Sequence, residues 1–216
     1  MRQLQRLARP AILTSKAGEW TQRYLEKRAQ NTTLRPDSRQ YAHREILDTL
    51  AAMSHRKCFY CEHLLDEDEY TVDHYVEVSE VPDKAFAWDN LYLSCRGCQG
   101  KLAEATVPRA ECIDPCDAGI EPAEHLTFEH EVILPRNDSQ RGRQTIRKHK
   151  LARGDLQLRR SRRLNLFNDT LIAIQRVQIQ EGRQELTDDE RALLRRFAEP
   201  EAPFSLMFRE LLHAVL

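Results

Sequence analysis

Several things are missing from this chain of 216 residues, and each absence narrows what it can be. No apolar run approaches the roughly 18–20 residues that a membrane span requires, so no membrane role is expected. The Arg-bearing start, MRQLQRLARPAILTSK, lacks an apolar stretch long enough for a secretory signal, and a cytoplasmic setting is expected. An excess of charge of one sign is also absent. Lys and Arg number 33 against 34 Asp and Glu, which excludes a globally basic binder of the histone or ribosomal kind. There is no internal repeat, no low-complexity tract and no GxxxxGK[ST] phosphate loop, so ATP hydrolysis is not expected of this chain itself.

What is present is charge in blocks. Residues 1–63 carry a net +6, residues 64–140 a net −13, residues 141–163 a net +9 and residues 164–216 a net −3. Two readings fit: solvated helix faces of alternating sign, or a divided protein whose basic segments meet phosphate. Apolar residues at 41 % allow a modest core, and 31 % charged residues suit a soluble chain.

The ends read as helical. Glu19–Arg28 sets Trp20, Tyr24 and Leu25 on one face, and Ser38 is expected to cap a second helix with Tyr41, Ile46, Leu50 and Met53 on one stripe. From Cys58 to about Pro135 short strands and loops are expected. Beyond Gln144 the pattern is helical again, with Leu164, Phe167, Leu171 and Ile174 spaced by threes and fours. Thr187-Asp188-Asp189-Glu190 reads as a capping box, and Ser205–Leu216 as a last helix. The division expected is a helical segment over 1–54, a core over 55–140, and a basic then helical segment over 141–216 packed on that core.

Four of the six cysteines fall in two CxxC pairs, Cys58–Cys61 (CFYC) and Cys95–Cys98 (CRGC). Each turn presents two thiolates to one ion, and two turns complete a tetrahedral shell, so a structural zinc site is expected. A disulfide framework is the rival, but a chain of this length folds without staples and shows no secretory signal. Cys112 and Cys116, separated by Pro115, cannot chelate from a helix and read as ordinary thiols.

Between the knuckles lies YTVDHYVEVSEVPDKAFAWDNLYLSC, followed by RGCQGK. Asp73-His74 follows a short β-like run (Tyr70, Thr71, Val72), Asn90-Leu91 precedes the second knuckle, and Lys101 closes the element. This arrangement resembles the cysteine-flanked version of the HNH endonuclease motif, in which a DH pair, an NL pair and a CxxCN…K element make a ββα-metal site. CFYCE, AWDNLYLSC, the later IDP and TIRKHKLARGDL, and the terminal APFSLMFRELL extend the resemblance to the HNH subunit of Septu-type anti-phage systems, which also accompanies some retrons.

The resemblance implies an α+β fold: a small zinc-stapled ββα-metal core with mostly helical extensions. It implies metal-dependent hydrolysis of phosphodiesters in phage defence, alongside an ATPase partner and in some settings a retron. DNA is the favoured substrate, and an RNA such as tRNA is compatible with every residue cited. The residues suit that chemistry. A neutral imidazole at His74 can take a proton from water near neutral pH. A carboxylate at Asp73 can hold Mg²⁺ or Mn²⁺ to stabilise the leaving oxygen. Adjacent side chains in a strand point to opposite faces, so the strand must end or bend there for both to serve one site. Asn90 is expected to orient the His74 loop.

Two positions depart from the family pattern. Gln99 stands where the family has Asn or His as second metal ligand. It can coordinate with altered geometry, or a neighbour or water supplies the ligand, or catalysis is weakened. Glu77, where relatives often have proline, is read as facing solvent in preference to joining the metal shell. The stretch Arg141–Arg163 is the expected phosphate contact, through Arg141, Arg143, Arg147, Lys148, Lys150 and Arg153, with Lys101 beside the motif. The alternative from another class is a zinc-binding adaptor that holds the ATPase partner or nucleic acid and cuts nothing.

Overall fold

The computed structural model describes residues 1–99, 107 and 109–213. Helix α1 (Ala11–Gln30) starts directly after Pro10, where a missing N–H costs nothing, and so begins well before Glu19. It buries Leu13, Ala17 and Tyr24, and its Trp20 and Tyr24 rings meet Phe86 at 5.6 and 6.3 Å.

The second helix departs from expectation. Asp37, not Ser38, caps a single turn, α2 (Ser38–Tyr41), by accepting from the Arg39 N–H. The chain then restarts as α3 (Arg44–Ser54), capped by the ring of His43 accepting from the Glu45 N–H at 3.3 Å. Two side chains able to cap locally compete with a continuous helix and split it at Ala42. Helix α3 still buries Ile46, Leu50 and Met53, as its period requires. It ends at His55 and Arg56, both left-handed at φ 52° and 59°, which swing the chain into the first cysteine turn.

Strand β1 (Thr71–His74) pairs antiparallel with β2 (Leu91–Ser94), setting Asp73 opposite Tyr92 and His74 opposite Leu91. Cys95 follows β2 at once, and the short α4 (Arg96–Gln99) returns over β1, where the Gln99 amide nitrogen donates to the Val72 carbonyl at 2.9 Å. A second hairpin, β3 (Leu126–Glu129) with β4 (Val132–Pro135), leads to α5 (Gln140–Lys148). A Cβ at Gly142 would lie 2.1 Å from the His125 carbonyl oxygen, so glycine lets α5 lie flat on the segment before β3. Among the described residues the result is an α+β arrangement, with two small antiparallel sheets set among helices.

Helix α6 (Gly154–Glu181) stops at Gly182, which is left-handed at φ 68°. Helix α7 (Asp188–Arg195) opens on the expected capping box: Thr187 Oγ1 accepts from the Glu190 N–H at 3.2 Å, and Glu190 accepts from the Thr187 N–H at 2.9 Å. Helix α8 (Ser205–Leu212) joins Phe167 and Phe197 through Phe208, with ring centroids 5.1 to 5.4 Å apart.

The C-terminal part is locked to the first cysteine turn by a buried polar node. Glu62 accepts from Ser205 Oγ and from the Leu206 N–H, both at 3.0 Å, and the Lys57 ammonium donates to the Ala202 carbonyl at 3.0 Å. Desolvation works against the Glu62 carboxylate, yet neighbouring positive charge and these donors hold it below its ordinary value. No helix among the described residues is long and apolar enough to cross a membrane.

Candidate metal centre and adjoining cleft

The two CxxC turns meet. The Sγ atoms of Cys58, Cys61, Cys95 and Cys98 all lie within 4.8 Å of one another. Zn–S bonds near 2.3 Å set the sulfurs of a tetrahedral site about 3.8 Å apart, so this cluster fits a zinc ion. The backbone builds it by repeating one device. The Glu62 N–H donates to the Cys58 carbonyl at 2.9 Å in the first turn, and the Gln99 N–H to the Cys95 carbonyl at 3.1 Å in the second. Glu62 adopts φ 60° to close the first turn, and the Phe59 N–H donates to the Leu93 carbonyl at 3.0 Å, which staples that turn to β2. Cys112 and Cys116 are not part of the cluster.

The cluster has a cationic neighbour that sequence reasoning assigned elsewhere. The Arg153 guanidinium donates to Cys98 Sγ at 3.3 Å and to Cys95 Sγ at 3.5 Å. Burial opposes its charge, but the sulfurs of Cys98 and Cys61 outweigh that and hold Arg153 above its ordinary value.

Beside β1 lies a cleft of about 710 Å³ whose walls include Asp73, His74, Glu77 and Gln99, with Arg35 and Arg96 exposed at its rim. The strand ends at His74, as two adjacent side chains serving one cleft require. His74 is held from two sides: its Nε2 lies 2.9 Å from the Ala85 carbonyl oxygen, and its ring meets Tyr41 edge-on at 4.8 Å. A carbonyl can only accept, so Nε2 carries a proton, and in the neutral ring the lone pair is on Nδ1. Asp73 is 2 % exposed, and Oδ2 of its carboxylate accepts from the Tyr60 hydroxyl at 2.8 Å.

Asn90 is buried beneath the loop that follows His74. Its Oδ1 accepts from the Val76 N–H at 2.6 Å, and its Nδ2 donates to the Val76 and Lys84 carbonyls, both at 3.1 Å. One amide therefore ties both ends of the loop that presents Ala85 to His74. Glu77 corrects the solvent-facing expectation: it is partly buried and lines the cleft. Another groove of about 770 Å³, between α1 and the Asp83–Asp89 segment, contains none of these groups.

The basic stretch divides. Arg143 and Arg147 are exposed on α5, while Arg141 and Lys150 are partly buried. Lys148 is 7 % exposed and its ammonium donates to the Val107 carbonyl at 2.8 Å, so its burial corrects the expectation of a surface phosphate contact. Arg153 is likewise turned onto sulfur. Lys101 lies outside the described residues.

Sequence reasoning also missed Tyr60 and Tyr41. Tyr60 sits inside the CFYC turn, fully buried between Tyr92 and His149, whose ring stacks on it at 3.8 Å. Its position between two ligand cysteines was visible in the sequence, but nothing there marked it as a partner of Asp73.

No protein-family model matches the chain. Over 68 residues, 31 % of the chain, it is 35 % identical to the Septu protein PtuB of Bacillus thuringiensis. The matched stretch spans 26 % of that protein, about a quarter of its length. Over that stretch the chain is similar to a Septu protein, and its four-sulfur cluster fits a zinc knuckle.

Proposed function

We propose that this chain is an HNH-type endonuclease that cuts phosphodiester bonds of nucleic acid in anti-phage defence, in company with an ATPase partner. The observation that carries the reading is the cleft that gathers Asp73, His74, Glu77 and Gln99 beside the zinc-type cluster. Nδ1 of His74 is the nitrogen that takes a proton from the attacking water, with the Ala85 carbonyl keeping the proton on Nε2. Asp73 and Glu77 supply carboxylates, and Gln99 a carbonyl oxygen, for a hard divalent ion such as Mg²⁺ or Mn²⁺. When bound, that ion neutralises charge on the phosphate and the departing oxygen. Asn90 keeps the loop carrying Ala85 in place, and Arg35 and Arg96 offer positive charge to the phosphate backbone at the rim. DNA is the substrate favoured, with tRNA the alternative nucleic acid, and a retron is one genetic setting for the pair.

One observation favours a second reading, a zinc-binding adaptor that does not cut. The Gln99 amide is committed through its nitrogen to the Val72 carbonyl, which restricts how its oxygen can turn toward a metal. The experiment that separates the two incubates wild type and His74→Ala with plasmid DNA or tRNA, with Mg²⁺ or Mn²⁺, with and without the proposed ATPase partner. Cleavage by wild type alone supports the nuclease. Equal cleavage by both proteins removes His74 as base, and no cleavage in any condition leaves the adaptor.

A further inference from the structure

Four thiolates around one divalent zinc carry two negative charges in excess. Here that excess is buried, with Cys58, Cys61 and Cys98 at 1 %, 3 % and 1 % exposure. Buried charge of this kind is costly unless the protein returns opposite charge or strong hydrogen-bond donors. Arg153 returns both: separate nitrogens of its planar guanidinium reach Cys98 Sγ at 3.3 Å and Cys95 Sγ at 3.5 Å, one from each. Arg160, also buried, donates to the Leu151 carbonyl and makes no hydrogen bond to sulfur among those described.

The second knuckle is shaped to receive that guanidinium. A Cβ built on Gly97, the glycine of Cys95-Arg96-Gly97-Cys98, would lie 2.8 Å from Cζ, Nε and Nη2 of Arg153. The guanidinium therefore occupies the space that the missing side chain leaves. It is held there by the Lys150 carbonyl at 3.3 Å and by the Asp155 carboxylate at 3.0 Å. Cys95, at 9 % the most exposed of the four ligands, shares with Arg153 the wall of a solvent-open pocket of about 300 Å³. A chelator or an electrophile that enters that pocket meets Arg153 and Cys95 together.

We propose that Arg153 is the charge-balancing and guarding residue of the zinc centre, seated on Gly97 and covering Cys95 and Cys98. The proposal rests on the cluster holding zinc and is independent of whether the cleft cuts nucleic acid. It takes Arg153 out of the group of phosphate contacts.

The test uses the zinc-loaded full chain and follows zinc transfer to a chromogenic chelator, with and without a thiol-reactive electrophile. Arg153→Met is expected to release zinc roughly tenfold faster or more, the range found when the partners of metal ligands are removed. Arg153→Lys, which keeps the charge but not the two-pronged donor, should fall between it and wild type. Gly97→Ala displaces the guanidinium without removing it and should also speed release, which keeps the test open if Arg153→Met folds poorly. Mass mapping should find Cys95 and Cys98 alkylated before Cys58 and Cys61 in the variants. Wild-type release rates in both Arg153→Met and Gly97→Ala overturn the role while leaving the zinc centre standing. A wild-type chain that purifies without zinc overturns both.

Discussion

Tyr60→Phe removes one oxygen from the fully buried link between the cysteine cluster and the cleft. The phenyl ring that remains keeps its stack on His149 and its parallel packing with Tyr92. What is lost is the 2.8 Å hydrogen bond to Oδ2 of Asp73. A hydrogen bond to a charged group contributes about 1.5–3 kcal/mol, which translates to roughly 10–100-fold in whatever equilibrium depends on it. Two equilibria do: folding, and the proposed binding of a divalent ion by Asp73. The ring packing is preserved, so we expect the larger effect on the ion, with the midpoint for Mg²⁺ or Mn²⁺ in cleavage raised about tenfold or more. Zinc content should stay at the wild-type level. The assay is a metal titration of cleavage rate paired with Mn²⁺ binding by electron paramagnetic resonance, which reads the ion without catalysis. An unchanged Mn²⁺ affinity in a folded, zinc-loaded Tyr60→Phe protein refutes the idea that the cysteine turn positions the carboxylate.

Asn90→Ala deletes three hydrogen bonds to the loop over His74, and about 2–4 kcal/mol of stability should go with them, read by urea denaturation. Cys95→Ser should abolish stoichiometric zinc, measured by metal analysis of the purified chain against a wild type carrying one ion. The α6–α7 turn should show an acid limb. The Arg183 guanidinium holds Glu190 down to about 2 from an ordinary 4.5, so the stabilisation is complete above the ordinary value and is lost as pH falls toward the lower one. Glu190→Gln should flatten the thermal midpoint across that window, and an acid limb identical to wild type would assign it to other carboxylates.

Legibility in the sequence followed the range of the forces involved. Features set by a few adjacent residues were readable: the two CxxC turns, the Thr187–Glu190 capping box, and the buried stripe of Ile46, Leu50 and Met53. Strand geometry also requires that the strand end or bend at Asp73-His74 if both serve one site, although the β-like run in the sequence stops at Val72 and β1 continues through His74. Features set by competition were not. Ser38 and Asp37 are both good caps, and which of them wins, and whether His43 starts a second helix, depends on how α3 docks. Long-range partners were the least readable. Nothing local tells Tyr60 to reach Asp73, or Arg153 to lie across a glycine more than fifty positions earlier; a basic side chain in a basic run reads as a phosphate contact until its neighbours are known.

The placement of those side chains changes what the charge blocks mean. The +9 segment looked like a single phosphate-binding stripe, but its charges are partly spent inside the protein. Lys148 is turned onto the Val107 carbonyl, Arg153 onto two sulfurs, and Arg160 is 1 % exposed. Burial pulls Arg160 down to about 10, still high enough to stay charged at neutral pH, so its charge acts on the interior and not on a ligand. What remains exposed on that segment is fewer and more scattered than the count suggests. Meanwhile Arg35, from the +6 block, and Arg96, from within the −13 block, line the same cleft as Asp73 and Glu77. A cleft that gathers two carboxylates with two guanidinium groups admits a phosphate close to the carboxylates only when a cation screens them, because they repel it at short range. Nucleic-acid affinity at the cleft should therefore rise with divalent ion as well as fall with monovalent salt. A purely electrostatic surface stripe would show only the second dependence.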